Sequence, residues 1–104
     1  DLANLRNVTI GENVTSIGIW AFSGCTSLTE ITIPKKVTSI ENLAFYGCSN
    51  LTKVYSKAST PPLSSGAFDV WKTAIYLGVP VGSKAAYQRA EGWKNFQTIE
   101  EVNF

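Results

Sequence analysis

The sequence predicts an α/β solenoid: a short stack of coils whose strands run parallel, closed at its C-terminal end by a helix and a strand. Two observations predict it. Residues 5–27 and 28–50 align without a gap and agree at 11 of 23 positions: Leu5/Leu28, Thr9/Thr32, Ile10/Ile33, Val14/Val37, Thr15/Thr38, Ser16/Ser39, Ile17/Ile40, Ala21/Ala44, Phe22/Phe45, Gly24/Gly47 and Cys25/Cys48. After residue 80 that pattern stops and a helical spacing of apolar residues replaces it. A fixed period outranks any local helix or strand preference, because one unit cannot bury its apolar edge without a neighbour stacked on it.

Each element of the coil follows from its apolar positions. Leu5, Val8 and Ile10 point inward from a short first strand, and Val14 and Ile17 do so from a second extended segment. Ala21, Phe22 and Cys25 fill the returning turn. One period later the same places hold Leu28, Ile31, Ile33, Val37, Ile40, Ala44, Phe45 and Cys48. Successive strands pair in parallel, about 4.8 Å apart. Gly24 and Gly47 stand at a tight return, where a missing Cβ is useful. Residues 1–4 fall in register on Gly24 to Ser27, so they read as the tail of an earlier coil and the chain as a piece of a longer array.

The third coil, 51–73, drifts. Leu51, Val54, Ala67 and Phe68 keep their places, but Thr60-Pro61-Pro62-Leu63 replaces Val-Thr-Ser-Ile. Proline cannot donate to a ladder, so this side should be extended and poorly paired. Val70 and Trp71 replace Gly and Cys, which widens the coil. Residues 74–80 start a fourth strand with Leu77 beneath Val54. Ser83 can cap a helix over 84–91, and Gly92 suits its end. Ala86, Tyr87, Ala90, Trp93 and Phe96 give that helix and its exit an apolar side. Residues 97–104 form a last strand anchored by Ile99 and Val102. The whole is one domain, 1–104, with repeats at 5–27, 28–50 and 51–73 and a cap at 74–104.

The order Leu-x-x-Ile-x-Ile-Pro-x-x-Val-Thr-Ser-Ile-x-x-x-Ala-Phe-x-Gly-Cys, from Leu28 to Cys48, resembles the BspA-like leucine-rich repeat, also called the Treponema pallidum type. The segment from Tyr76 to Phe96 resembles the closing segment of such proteins in gut Bacteroidetes. The resemblance covers the whole chain. It implies a right-handed leucine-rich-repeat solenoid that serves as an extracellular or surface-anchored bacterial module binding proteins or carbohydrates. The alternative is a structural spacer with no ligand of its own.

Composition narrows the function classes. Nine basic and eight acidic residues give a net charge of +1, so no strong field draws in nucleic acid or an anionic membrane. No apolar run approaches the ~20 residues that span a bilayer, so membrane insertion is not expected. The chain has no histidine, which removes the usual general base and the commonest metal ligand. No serine lies in a context that would activate it. An enzyme is not expected, nor a cofactor or a metal.

Cys25 and Cys48 stand one above the other. Parallel stacking aims their Cβ atoms the same way at about 4.8 Å, whereas a disulfide wants converging vectors at roughly 3.8 Å. They are expected to be free, buried thiols acting as small hydrophobes. Asn7, Asn13 and Asn50 match the glycosylation pattern by coincidence with a threonine-rich repeat. Stacked Glu12 and Lys35, and Glu30 and Lys53, should form exposed charge pairs. Trp20 faces outward and should pack on Leu43. The open N-terminal coil, with Leu2, Leu5, Val8 and Ile10, suggests weak self-association or fraying of residues 1–10. The best candidate surface is the outward strip of the first strand of each coil: Asn7, Glu30, Lys53 and Tyr76, with Thr9, Thr32, Tyr55 and Gly78 in the next row. Tyrosines among mixed polar groups offer contact area at low entropy cost.

Overall fold

The computed structural model describes residues 4–64, 66–67 and 76–104. The elements are β1 (Ser16–Ile17), β2 (Glu30–Ile33), β3 (Ser39–Ile40), β4 (Lys53–Ser56), β5 (Tyr76–Pro80), α1 (Lys84–Arg89) and β6 (Thr98–Val102). Two parallel sheets run along the stack, one ordered β2-β4-β5-β6 and one made of β1 and β3. The chain is therefore a parallel solenoid with a helix and strand at its C-terminal end.

From β2 through β4 to β5 the register is the one the repeat predicts, and β6 follows one residue short of it. Glu30 pairs with Lys53, Lys53 with Tyr76, and Tyr76 with Thr98. On the inner face Ile31, Val54, Leu77 and Ile99 form a continuous row, each buried. Leu28 and Leu51, Ile17 and Ile40, and Ala44 and Ala67 form further inner rungs. Phe22 stacks on Phe45 with centroids 5.3 Å apart and planes 10° from parallel. The expected third rung, Phe68, lies outside the described residues, as do Val70 and Trp71.

The return turn is built identically in both coils. Trp20 and Leu43 each have φ 63°, and Gly24 and Gly47 each have φ 79°. Glycine adopts that left-handed conformation without a Cβ penalty. Space is not the reason, since a Cβ on Gly47 would meet the Gly24 nitrogen at 3.5 Å, an ordinary contact. Coil-to-coil bonds such as Phe22 N to Ala44 O (2.8 Å) and Gly24 N to Tyr46 O (2.9 Å) tie the turns together.

The first coil departs from expectation. Residues 7–10 form no strand, and β2 has β4 as its strand partner among the described residues. Leu5, Val8 and Ile10 still pack on the core, but half-buried. A coil covered on one side buries less of its apolar row than Ile31 and Ile33 do, and strand preference follows such packing.

The third coil slips by one residue. The sequence alignment sets Leu63 beneath Ile40, but its single bridge is to Ser39. Had Pro62 lain opposite Ser39, the Thr38 carbonyl would have faced a residue with no N–H. With the slip, Leu63 N donates to Thr38 O at 2.9 Å, and Ile40 N donates to Leu63 O at 2.8 Å. Leu63 is thereby turned outward, 77% exposed, and Pro62 is buried. The expected weak pairing of this segment is what the single bridge represents.

The C-terminal end is itself a coil, with α1 in place of the second extended segment. Ser83 stands at the N-cap, where the sequence puts it, but its side chain does not cap the helix. Its hydroxyl donates to Pro80 O at 2.7 Å and makes no capping bond. The Glu101 carboxylate instead accepts from Gly82 N (2.9 Å) and Lys84 N (3.4 Å), so a side chain from β6 holds the start of the helix. The helix ends at Arg89, with Ala90 already extended, before the expected limit at 91. Gly92, φ 85°, serves close packing rather than the helix end: a Cβ there would run into the Ser64 carbonyl.

Three polar contacts fasten this end to the third coil. The Tyr87 hydroxyl donates to Ala58 O at 2.5 Å and lies 2.7 Å from Ser56 Oγ, which must then donate to it. Trp93 Nε1 donates to Pro62 O at 2.8 Å. Tyr87 and Trp93, both fully buried, meet edge-to-face at 5.3 Å.

Two expectations follow. Phe45→Ala removes the buried partner of Phe22 and should lower stability by roughly 3–5 kcal/mol, read from a denaturant melt. Burial pushes the Tyr87 phenol up to about 12, although its bond with Ser56 acts the other way. Its folded value lies above its unfolded value of about 10. The stabilisation it supplies is therefore complete below pH 10 and is lost as pH rises toward 12. The melting temperature should fall in that window. Tyr87→Phe should be less stable at neutral pH by roughly 1–3 kcal/mol and should lose part of the alkaline fall.

Candidate functional site

Alternation along the strands puts one set of side chains in the core and the other on an outward face. The outward set is Glu30 and Thr32 on β2, Lys53 and Tyr55 on β4, Tyr76 and Gly78 on β5, and Thr98 and Glu100 on β6. Tyr55 is at its centre. A Cβ built on Gly78 would lie 2.7 Å from Tyr55 Cδ1 and 2.9 Å from Val102 Cγ2, so the ring lies across the space that the glycine leaves. Tyr76 flanks it at 5.8 Å and 66°, and Phe104 at 6.4 Å and 87°. Lys57 Nζ stands 5.9 Å over the Phe104 ring. Burial pushes the Tyr76 phenol up, and Glu100 adds to the shift as hydrogen-bond partner and as a neighbouring charge.

A groove of about 730 Å³ crosses this face, lined among others by Thr9, Thr32, Tyr55, Lys57 and Phe104. Three of the seven residues expected to form the site, Thr9, Thr32 and Tyr55, therefore border the groove. Glu30, Lys53 and Tyr76 occupy the adjacent row in the expected register. Asn7 and Thr9 are exposed but stand on no strand, so the ladder does not extend to them.

Sequence reasoning missed Phe104 and Lys57 and misassigned Val102. Ile99 and Val102 are three residues apart, so a regular strand cannot turn both inward. Ile99 is buried in the core, whereas Val102 sits beside Tyr55 on the outer face. The outward parity of Thr98, Glu100 and Val102, carried two residues on, reaches Phe104. That signal was available in the sequence.

Other surface expectations are corrected. Neither Glu12 and Lys35 nor Glu30 and Lys53 form ion pairs; among the described residues the ion pair is Lys94–Glu91 at 3.5 Å. Exposed charges gain little from pairing and lose side-chain entropy. Lys36 Nζ instead donates to Asn13 Oδ1 at 3.1 Å, and Asn50 Nδ2 to Thr26 O at 2.7 Å. Trp20 meets the Tyr46 ring edge-to-face at 5.9 Å. Among the described residues, no group of three His, Cys, Asp or Glu could hold a metal ion.

A stack of parallel coils with an aliphatic interior and a displayed sheet face is a leucine-rich-repeat solenoid. The profile of the BspA type leucine rich repeat region (6 copies) matches residues 1–104, and the chain belongs to that family. No curated protein matches the chain.

Cys25 and Cys48 are buried thiols not joined in a disulfide. The Cys48 thiol lies 3.1 Å from the Phe22 carbonyl, to which it donates. Burial pushes the Cys25 thiol up, and a hydrogen bond with Cys48 offsets part of that. A raised, inaccessible thiol is a poor nucleophile. A thiol reagent should find neither cysteine in the native protein within minutes and both after non-reducing denaturation. Finding none after denaturation would mean a disulfide.

Proposed function

We propose that this chain is a non-catalytic binding module of a bacterial surface or secreted protein, and that it engages a protein or a glycan through the outward face around Tyr55. One observation carries the reading. Tyr55, Tyr76 and Phe104 form an aromatic cluster on a face that the core does not need, beside an open groove. Asn7, Thr9, Glu30, Thr32 and Lys53 complete the surface. Membership of the BspA type family supports a place outside the cell. No helix among the described residues is long and apolar enough to cross a membrane. We read 1–104 as one unit closed by 74–104. The half-buried flank of Leu5, Val8 and Ile10 is where a further coil, or weakly a second copy, would stack.

The reading is tested on an array of glycans and extracellular proteins probed with wild type, Tyr55→Ala and Tyr76→Ala. Truncating an aromatic anchor commonly costs more than about 1 kcal/mol of binding. Both variants should therefore lose signal at least fivefold on the spots that wild type binds, with melting temperatures nearly unchanged. Equal binding by all three proteins, or no spot bound by wild type, would make the face scaffold and the chain a spacer.

A further inference from the structure

We propose that the partner of this face is an acidic polysaccharide, a sugar chain bearing carboxylate or sulfate groups. The proposal rests on reading the face as a binding surface, and it adds the class of ligand. Its basis is the ridge formed by Lys35 and Lys57. Lys57 N donates to Ile33 O at 2.9 Å, so the chains leaving β2 and β4 run side by side and bring the two lysines together. Both side chains border the 730 Å³ groove, and both also border a second groove of about 740 Å³. Lys36, Ser59 and Thr60 line that second groove. Among the described residues, the two linings hold three lysines and a single side-chain carboxylate, Glu12. None of the three lysines meets a carboxylate within ion-pair distance among the described residues. In a chain with a net charge of only +1, this is a local excess of positive charge.

The neighbouring groups favour a sugar over an acidic peptide. Tyr55 and Phe104 stand at 87° to each other, offering a ring face and an edge to the apolar side of a pyranose. Thr9 and Thr32 on one side of the ridge and Ser59 and Thr60 on the other supply hydroxyls. An extended peptide gains most from a free strand edge. The groove instead crosses the side-chain face of a sheet in which β4 and β5 are paired on both sides, and only the border strands β2 and β6 have an edge without a strand partner among the described residues. A polysaccharide crossing the ridge sets a ring on Tyr55 and Phe104 and its anionic groups on Lys35, Lys57 and Lys36.

The experiment is affinity electrophoresis and fluorescence titration of the full chain with polygalacturonate, chondroitin sulfate, neutral dextran and poly-glutamate. The expected result is binding to one or both acidic polysaccharides and not to dextran, weakening as salt is raised. Hydrogen bonds made by charged groups are stronger than those between neutral ones. The variant Lys35→Gln with Lys57→Gln should therefore bind at least tenfold more weakly at an unchanged melting temperature. Lys94→Gln, on the helical end, should bind as wild type does. Binding to dextran that depends on Tyr55 but not on the lysines would overturn the proposal and leave the binding face intact. Preference for poly-glutamate would transfer the site to acidic peptides. Failure of both acidic polysaccharides to bind overturns it.

Discussion

Parallel stacking is the constraint on which the rest of the structure depends. Every coil must place its backbone where the next can bond to it, and so each must return after nearly the same length of chain. The turn shows how tightly this binds the sequence. Trp20 and Leu43 share one left-handed conformation, and Gly24 and Gly47 share another, because the same coil-to-coil bonds are made in both. A side chain can vary only where it points away from that scaffold.

Where the sequence breaks the repeat, the same constraint decides the response. Two prolines enter the third coil, and the chain shifts by one residue so that Leu63, which has an N–H, meets the Thr38 carbonyl. A missing donor opposite a carbonyl is a cost the stack avoids by moving the chain. The shift turns Leu63 out and leaves the Pro62 carbonyl to the indole of Trp93. The coil that tolerates prolines is thus the one that the helical end covers. Ser64, under Gly92, has a buried hydroxyl with no partner among the described residues, a sign that close packing takes precedence there over polar satisfaction.

The candidate surface is a by-product of this economy. With the interior filled by Ile31, Val54, Leu77 and Ile99, the opposite face of each strand is released from packing. Gly78 gives Tyr55 a seat, and Tyr76 and Phe104 hold it there. Such a preformed aromatic group loses little entropy when a partner arrives.

The sequence alone determined the coil, its period, the inner rows and the fourth strand, since an identical spacing of apolar residues admits one stacking. It also determined the helix and last strand in outline. The outward rows of Glu30, Lys53 and Tyr76 and of Thr32 and Tyr55 were legible for the same reason, because parity along a strand fixes the face. Only the tertiary structure decided what lies between elements distant in the chain. Glu101 capping α1, Tyr87 bridging Ser56 and Ala58, and Lys57 over Phe104 join residues on different coils through side chains that no repeat specifies. The same holds for the absent strand at 7–10 and the slip at Leu63. Each is settled by how much neighbouring surface is available, a quantity that exists only once the coils are assembled.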